Sequence, residues 1–316
     1  MSLRAREIGV FLTIAALMVL LAWHANGYFS HANLIDLFLA NMPVMLIAVG
    51  MTLIILTGQI DISVGSIFAV CSIVMGLCAN RGLPMFASAL AACAAGALCG
   101  ALNGALTAYL RIPSIVATLA TMVALRDGLR WSTQGAWIQG LPAGFQWFGI
   151  SQSTYTALLF LVVIFFTTAT ALGLNRLRVG RAVVATGSNE AAAHNAGIDT
   201  KRVVFSVFAL TGALAGLAAV LNSVRFNQIP SNSGLGMELK VIAAVAVGGA
   251  AITGGSATMT GTVLGVVLLG CIGSALTFLG ISAYWEKAIQ GAIILIAVAI
   301  DTLPLYRRDH AYTPST

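Results

Sequence analysis

The chain is a succession of about ten apolar runs that are long enough, or nearly long enough, to cross a lipid bilayer. A helical crossing needs roughly 17–25 residues, because a helix rises about 1.5 Å per residue through a hydrocarbon layer about 30 Å thick. Inside that layer every backbone polar group has to be paired within the protein, so such runs can fold only as packed helices. A barrel would instead show alternating segments of about ten residues, and the sequence has no such alternation. The runs lie at 8–25, 38–57, 63–79, 85–109, 114–130, 155–174, 203–224, 239–253, 259–280 and 287–303.

Composition supports the membrane assignment. Apolar residues make up 59% of the chain and charged residues 8%, against about 45–50% and about 25% in soluble domains. The first run could be a signal peptide, but no small-residue cleavage site follows it and further runs come directly after it. We therefore predict an all-α polytopic membrane protein in which residues 1–316 form one transmembrane domain.

Lysine and arginine predict how the chain is oriented, because they accumulate in loops that stay in the cytoplasm. With ten spans and an internal amino terminus, ten of the sixteen basic residues fall inside. Both termini and the polar segment 175–202 are then cytoplasmic, and the loop 131–152 is periplasmic. The basic residues form no stripe on a soluble domain, which excludes a nucleic-acid partner. The internal basic residues are Arg4, Arg6, Arg111, Arg176, Arg178, Arg181, Lys201, Arg202, Arg307 and Arg308.

The segment 175–202 is the most polar part of the chain, and its centre predicts a short helix at 188–197. Ser188 or Asn189 can cap the start of this helix, and the alanines that follow favour helix. Gly197 can end it in the left-handed conformation. A polar helix between apolar spans is a place where a soluble partner can dock.

Two glycine-rich connections are predicted to form the inner turn or gate of a transport path. In the first, at 55–66, Asp61 or Ser63 can cap the next helix, or the turn can contact an energising partner. The second, at 246–256, predicts either a break in the membrane or a plain tight loop, because clustered glycines disfavour a continuous helix. The residues assigned to this gate are Gly58, Asp61, Ser63, Gly65, Gly254 and Gly255.

The periplasmic loop combines aromatic rings with amides, as sites for sugar-like solutes do. Trp131, Gln134 and Trp137 are assigned to a substrate path together with Asn222. The alternative is that the tryptophans form the belt of aromatic residues found at membrane interfaces.

Glycines recur at four-residue spacing in two spans, at Gly96, Gly100 and Gly104 and at Gly212 and Gly216. Small residues at that spacing let helix backbones approach closely. They indicate packing within the chain, with a path lining or a seam between two chains as the alternatives.

The chain carries no G-x-x-x-x-G-K-[ST] phosphate loop, so it does not bind ATP by that motif. Its acidic residues fall at span ends or in loops, whereas ion-driven carriers bury ionisable groups at mid-membrane. Uphill transport would therefore draw its energy from another polypeptide. The five cysteines lie in apolar stretches with no Cys-x-x-Cys pair, so neither a metal site nor a cofactor is expected. An ion- or proton-coupled carrier that works without an ATPase remains the alternative.

Four segments together resemble the permease subunits of ABC importers of the ribose, xylose and arabinose branch. GSNEAAAHNAGI at 187–198 is similar to the loop that couples such permeases to their ATPase. The other segments are ILTGQIDISVGS at 55–66, RIPSIVATLAT at 111–121 and AVGGAAITGGS at 246–256. Within the branch, AWIQGLP at 136–142 and ISAYWEKAIQGAIIL at 281–295 look more like autoinducer-2 and rhamnose permeases.

The resemblance implies a multi-pass inner-membrane transport subunit that is not itself an enzyme. It would move a monosaccharide or sugar-like solute, namely a rhamnose-like, autoinducer-2-like or ribose-like molecule, into the cytoplasm. Its implied partners are an ATPase subunit, a second identical or related permease chain and a periplasmic solute-binding protein. Gln59 stands where many relatives have glycine. The residues that would couple to the ATPase are Gly187, Ser188, Asn189, Glu190, Ala191, Ala192, Gly197 and Ile198.

Overall fold

A computed structural model describes the backbone of residues 3–282 and 284–310, and the side chains of residues 6–282, 284–297 and 299. The side chains of Arg4, Arg307 and Arg308 lie outside that set. The described residues form twelve α-helices with a 3-10 turn at Gln146–Gly149 and no strand, so the all-α prediction is confirmed. The helices are α1 Leu3–His24, α2 His31–Leu56, α3 Val64–Asn80, α4 Met85–Ala108, α5 Ser114–Thr133, α6 Gln152–Arg176, α7 Arg178–Ser188, α8 Glu190–Asn195, α9 Thr200–Ser223, α10 Met237–Val247, α11 Met259–Phe278 and α12 Trp285–His310.

Each of the ten apolar runs contains a helix, although the helix in the eighth run covers only part of it, and the polar segment 175–202 holds α7 and α8. Six helices of the described chain are long and apolar enough to cross a membrane by length and composition, namely α1, α2, α4, α6, α9 and α11. Apolar α3 is shorter, with 17 residues. Helix α5 has 20 residues but includes Arg126, Asp127 and Arg130. The more general prediction of a bundle of apolar helices is therefore confirmed.

The eighth apolar run, predicted as a span at 239–253, is only half a span. Helix α10 has 11 residues and ends at Val247, which gives a length of about 16 Å at 1.5 Å per residue. It stops there because Gly248 ends the helix and Gly249 takes a positive φ of 94°. No helix forms again before Met259. The prediction that no continuous helix runs through 246–256 is thus confirmed.

Helices α4 and α9 pack backbone to backbone along their glycine faces. A Cβ on Gly96 would overlap the carbonyl oxygen of Gly212, and a Cβ on Gly104 would come within 3.0 Å of the Phe205 backbone. A Cβ on Gly216 would lie 2.8 Å from the Cα of Cys93. The glycine spacing therefore serves packing within the chain. Helix α2 is buried almost continuously from Val44 to Leu56 beside this pair.

We expect the substitution Gly212→Val to prevent α4 and α9 from packing. Its Cβ would overlap the Gly96 carbonyl oxygen and lie 2.9 Å from the Cα of Gly100, and backbone cannot rotate away as a side chain can. Overpacking of this kind costs about 1–3 kcal/mol or more. Thermal unfolding of the detergent-purified protein measures the loss. Gly128→Ala is the control, because a Cβ at this helical glycine meets nothing within 4 Å. Equal stability of the two variants would contradict the packing described here.

Candidate coupling helix, glycine junction and solute path

The helix predicted at 188–197 is present as the shorter α8, Glu190–Asn195, with the cap and the glycine termination that the sequence suggests. Asn189 is its cap, since the Asn189 side chain accepts a hydrogen bond of 2.9 Å from the Ala192 backbone N–H. Ser188 belongs instead to the last turn of α7, where its hydroxyl donates to the Val184 carbonyl at 2.8 Å. Gly197 has a φ of +84°, and its N–H donates to the His194 carbonyl at 2.9 Å. The cap and the glycine termination are therefore confirmed.

Helix α8 exposes one face and anchors the other. Ala191 and Ala192 are exposed, whereas Ala193 is buried. The Thr200 hydroxyl at the start of α9 donates to the Glu190 carboxylate at 3.1 Å, which fixes the start of α8 on the bundle. The side chains on the exposed face project little from the helix, because alanine carries only a methyl group. It can therefore fit into a cleft of another protein.

A wide groove of about 920 Å³ adjoins α8. One wall comes from α8 and the start of α9, with Glu190, His194 and Lys201. The other wall is the turn that joins α4 to α5, with Arg111, and the groove also includes Gln59. Gln59 and Arg111 belong to two of the segments that carry the resemblance, and here they lie beside the third.

Three glycine-rich segments meet behind α8 in what we call the glycine junction, formed by Leu56–Gly58, Gly187–Ser188 and Gly254–Gly255. The N–H of Gly255 donates to the Leu56 carbonyl at 3.0 Å. A Cβ on Gly187 would overlap that same carbonyl oxygen, and a Cβ on Gly254 would lie 2.8 Å from the Gly58 Cα. Gly58, Gly254 and Gly255 all have positive φ. Five sequence-selected residues, Gly58, Gly187, Ser188, Gly254 and Gly255, thus come together at the end of the bundle that carries α8.

The Asp61 turn, residues 57–63, is held by hydroxyl and amide side chains from α4 and α5. Asn103 of α4 donates to the Ser63 hydroxyl at 2.7 Å. The backbone N–H groups of Ile60 and Ile62 donate to the hydroxyls of Ser114 and Thr118 at 3.2 and 3.1 Å. The polar groups of this turn are thus hydrogen-bonded to side chains of the neighbouring helices α4 and α5.

Asp61 does not cap α3, and neither does Ser63, so the capping prediction is wrong. Asp61 accepts from the backbone N–H and the hydroxyl of Ser63, both at 2.7 Å, and no side chain caps α3. In this turn, outside the two helices it joins, burial raises the pKa of the Asp61 carboxyl to about 6, against the lowering effect of the Ser63 hydrogen bonds. Asp61 is completely buried, so in this conformation it organises the turn and cannot reach a partner.

Gly65 does not lie with the other predicted gate residues. It faces Glu238 at the start of α10, where a Cβ would overlap the Glu238 carboxylate. Glu238 accepts from Arg126 of α5, with nitrogen–oxygen distances of 3.4 and 3.5 Å. The side chains are 8% and 20% exposed. The sequence analysis missed this ion pair, whose partners are 112 residues apart. Asp127 and Arg130 of α5 pair with each other, at 3.8 Å.

The residues assigned to the substrate path do not form one cluster. Trp131 is 85% exposed and Trp137 is 47% exposed on the loop after α5, where Gln134 ends the helix with a φ of +51°. Asn222, at the end of α9, instead lines a separate cavity of about 120 Å³. The two regions are nevertheless connected, because Ile138 and Ile229 form a backbone bridge.

Comparisons with known proteins agree on a transport role. Residues 33–298 match the family described as branched-chain amino acid transport system, permease component. The chain is 36% identical to the autoinducer 2 import system permease protein LsrC of Salmonella typhi, over 94% of this chain and 85% of that protein. It is also 36% identical to the LsrC proteins of Yersinia pseudotuberculosis serotype O:1b and of Enterobacter sp. strain 638, over 94% and 95% of this chain and 84% and 87% of those proteins. No solved structure gives a significant match.

These matches span the glycine junction, α8 and the Asp61 turn, so they cover the whole of the candidate site. Together with the apolar helices, they make the protein a multi-pass transport subunit of the bacterial inner membrane rather than an enzyme. The chain therefore belongs to the family of permease components of the branched-chain amino acid transport system type.

Proposed function

We propose that this chain is the membrane subunit of an ATP-driven importer and that a separate ATPase subunit docks on α8. The observation that carries the proposal is that α8 is exposed on its outer face and follows directly after Gly187 and Ser188, which belong to the glycine junction. A push on α8 would therefore reach two other parts of the chain directly through backbone contacts. Interfaces of this kind transmit rigid-body movements between two packed arrangements.

The first recipient of such a push is α2, whose last residue, Leu56, contacts Gly187. The second is the break between α10 and α11, which includes Gly254 and Gly255. Both recipients are backbone, so little of the movement would be absorbed by side-chain rotation. The groove of about 920 Å³ beside α8 gives the ATPase a second contact, at Arg111 and Lys201. The chain itself would need no cofactor.

The proposed cargo is a monosaccharide or sugar-like solute of the rhamnose, autoinducer-2 or ribose kind. Support comes from the relatives, whose names describe autoinducer 2 import. The ion-coupled carrier considered above is not favoured, because the family is one of permease components.

We further propose that about ten helices are embedded in the membrane and that both termini lie on the cytoplasmic side, the same side as α8. The start of α1 lies near the glycine junction, since Arg6 donates to the Gly249 carbonyl at 3.5 Å and Glu7 accepts from the Thr258 hydroxyl. Helix α12 starts near the beginning of α10, where Glu286 pairs with Lys240. Farther along α12, Ile296 lines the same cavity as Arg6 of α1. Both termini would thus lie at the α8 end.

A second permease chain, identical or related, would cover α5. The side chains of Asp127 and Arg130 are 64% and 59% exposed, and charged groups at membrane depth are costly against lipid. Protein or water has to cover this face. A solute-binding protein would dock at the opposite end of the bundle from α8, where the loop 131–152 lies.

The docking proposal predicts that Ala192→Arg will detach the ATPase without unfolding the permease. Ala192 is exposed, so the fold can accept the larger side chain, but a cleft shaped for a methyl group cannot. Losses at such central contacts exceed about 2 kcal/mol, which is about thirtyfold in affinity. The measurement is copurification of ATP-hydrolysing activity with the tagged permease from its native membrane.

Ala143→Arg is the matched control, because Ala143 is an exposed alanine of the loop at the other end of the bundle. It should retain the ATPase. If Ala192→Arg also retained wild-type ATPase activity in the purified complex, α8 would not be the docking site.

A further inference from the structure

The segment between α9 and α10 packs against α3 without helical structure, with Val224, Ile229 and Ser231 buried and Asn227 exposed. Residues 224–236 separate Ser223 from Met237, and they lie along α3. A Cβ on Gly76 would be 2.7 Å from the Ile229 side chain, and one on Gly65 would be 2.6 Å from the Gly234 carbonyl oxygen. Eleven residues of α3 separate these contacts, which is about 16 Å along the helix axis.

Non-helical backbone at membrane depth is tolerated only where protein buries it or where it lines a water-filled cavity. In transporters, broken spans of this kind form solute sites, with a half-length helix starting at the site. Helix α10, of 11 residues, is such a half-length helix. The cavity beside the segment 224–236 is therefore the candidate solute site.

This cavity, of about 120 Å³, lies between the end of α9, the segment 224–236 and α3. Two aromatic rings and four polar side chains line most of it. Its volume is several times the roughly 10–15 Å³ of probe-occupied space that one water needs, so it has room for one end of a small polyol. These six residues are Phe68, Asn222, Ser223, Phe226, Gln228 and Ser233.

One of the polar groups is left without a protein partner. Ser223 is 3% exposed, and its hydroxyl makes no hydrogen bond within the described chain. A buried hydroxyl without a partner lowers the stability of the fold by about 1–3 kcal/mol. A solute hydroxyl bound beside Ser223 would remove this cost by forming the missing hydrogen bond. The Asn222 amide oxygen accepts from Arg225, but only at 3.4 Å.

We propose that this cavity is a subsite for the hydroxylated end of a neutral, polyol-like solute during its passage through the bundle. The Ser223 hydroxyl, the Asn222 and Gln228 amides and Ser233 would exchange hydrogen bonds with solute hydroxyl groups. Phe68 and Phe226 would pack against the C–H faces of the solute. Arg225, whose guanidinium donates to the Leu39 carbonyl at 2.9 Å, is not among the residues that line the cavity, which suits a neutral ligand. This assignment rests on the importer function proposed above.

The test is ATP-dependent uptake of radiolabelled D-ribose, L-rhamnose and autoinducer 2 by the complete complex in liposomes. Ser223→Val and Gln228→Leu should each lower uptake of the transported probe at least about tenfold, the expected scale for unpaired polar groups in a site that binds hydroxyls. The ATPase activity that the binding protein stimulates should remain. Asn227→Leu is the control, because Asn227 is an exposed amide on the same segment and does not line the cavity.

A second measurement does not depend on either variant folding normally. In Ser233→Cys, a methanethiosulfonate reagent should label the new thiol above the level of the unmodified chain, and the transported probe should slow that labelling. Wild-type uptake by both cavity variants, or labelling that the transported probe does not slow, would overturn the subsite while leaving the importer intact. Absence of ATP-dependent uptake of all three probes by the wild-type complex would overturn the proposed cargo, and the subsite with it.

Discussion

Substitution of Gly187 by valine is expected to abolish transport, because this position has no room even for a methyl group. A Cβ there would overlap the Leu56 carbonyl oxygen and lie 2.9 Å from the Gly255 nitrogen. It would therefore break the hydrogen bond of 3.0 Å between Gly255 and Leu56. Overpacking costs about 1–3 kcal/mol and the lost hydrogen bond about 1 kcal/mol more.

Two measurements separate the consequences of that change. Thermal unfolding of the purified permease gives the loss of stability, and solute-stimulated ATP hydrolysis by the complex gives the loss of coupling. We expect both to fall, since the glycine junction holds α7, α2 and the break before α11 together. Retention of full coupling in Gly187→Val would show that force does not pass through this junction.

Gly173 and Gly197 supply graded controls for Gly187. Gly173→Ala adds a methyl group to a helical glycine of the neighbouring α6 whose nearest contact would be 4.0 Å away, so it should be neutral. Gly197→Ala meets nothing within 4 Å but forces alanine into a φ of +84°. That conformation costs about 1–2 kcal/mol. We therefore expect an order of stability in which Gly173→Ala exceeds Gly197→Ala and Gly187→Val comes last.

The second large effect is expected from Arg126→Gln, which leaves the Glu238 carboxylate buried without its cation. Removal of one partner of a buried ion pair lowers the free energy of unfolding by about 3–5 kcal/mol. Because Arg126 is 20% exposed, we expect a loss near the lower end of that range. Because Glu238 sits between α3, α5 and α10, the loss should appear as a lower unfolding temperature and a smaller folded fraction.

Arg202→Gln is the matched control for this prediction. Arg202 pairs with Asp199 at 2.9 Å, but its side chain is 81% exposed, and exposed pairs contribute about 0–1 kcal/mol. The backbone cap that Asp199 provides to α9 is unaffected. The double substitution Arg126→Met with Glu238→Leu should recover part of the loss, because it removes both charges. Equal stability of Arg126→Gln and Arg202→Gln would contradict the structural role of the buried pair.

The success of sequence-based prediction followed the range of the interactions involved. The ten apolar runs were found as helices, and the cap at Asn189 and the turn at Gly197 were correct, because these features depend on residues within one or two helical turns. The predicted cap of α3 was wrong, because the Asp61 carboxylate accepts from Ser63 and the Ser63 hydroxyl accepts from Asn103, 40 residues away. The span at 239–253 was too long because two adjacent glycines end α10 early.

What the sequence by itself determined is the membrane class, the positions of the helices and the polar helix that a partner can reach. The tertiary structure alone decided which of the selected residues act together. It joined Gly58, Gly187 and Gly254 in one junction and paired Arg126 with Glu238, 112 residues apart. It also set the non-helical segment 224–236 beside α3. The physical reason is that hydrophobic periodicity and helix capping act between near neighbours in the chain, whereas backbone contacts at glycine and buried ion pairs depend on how distant helices pack.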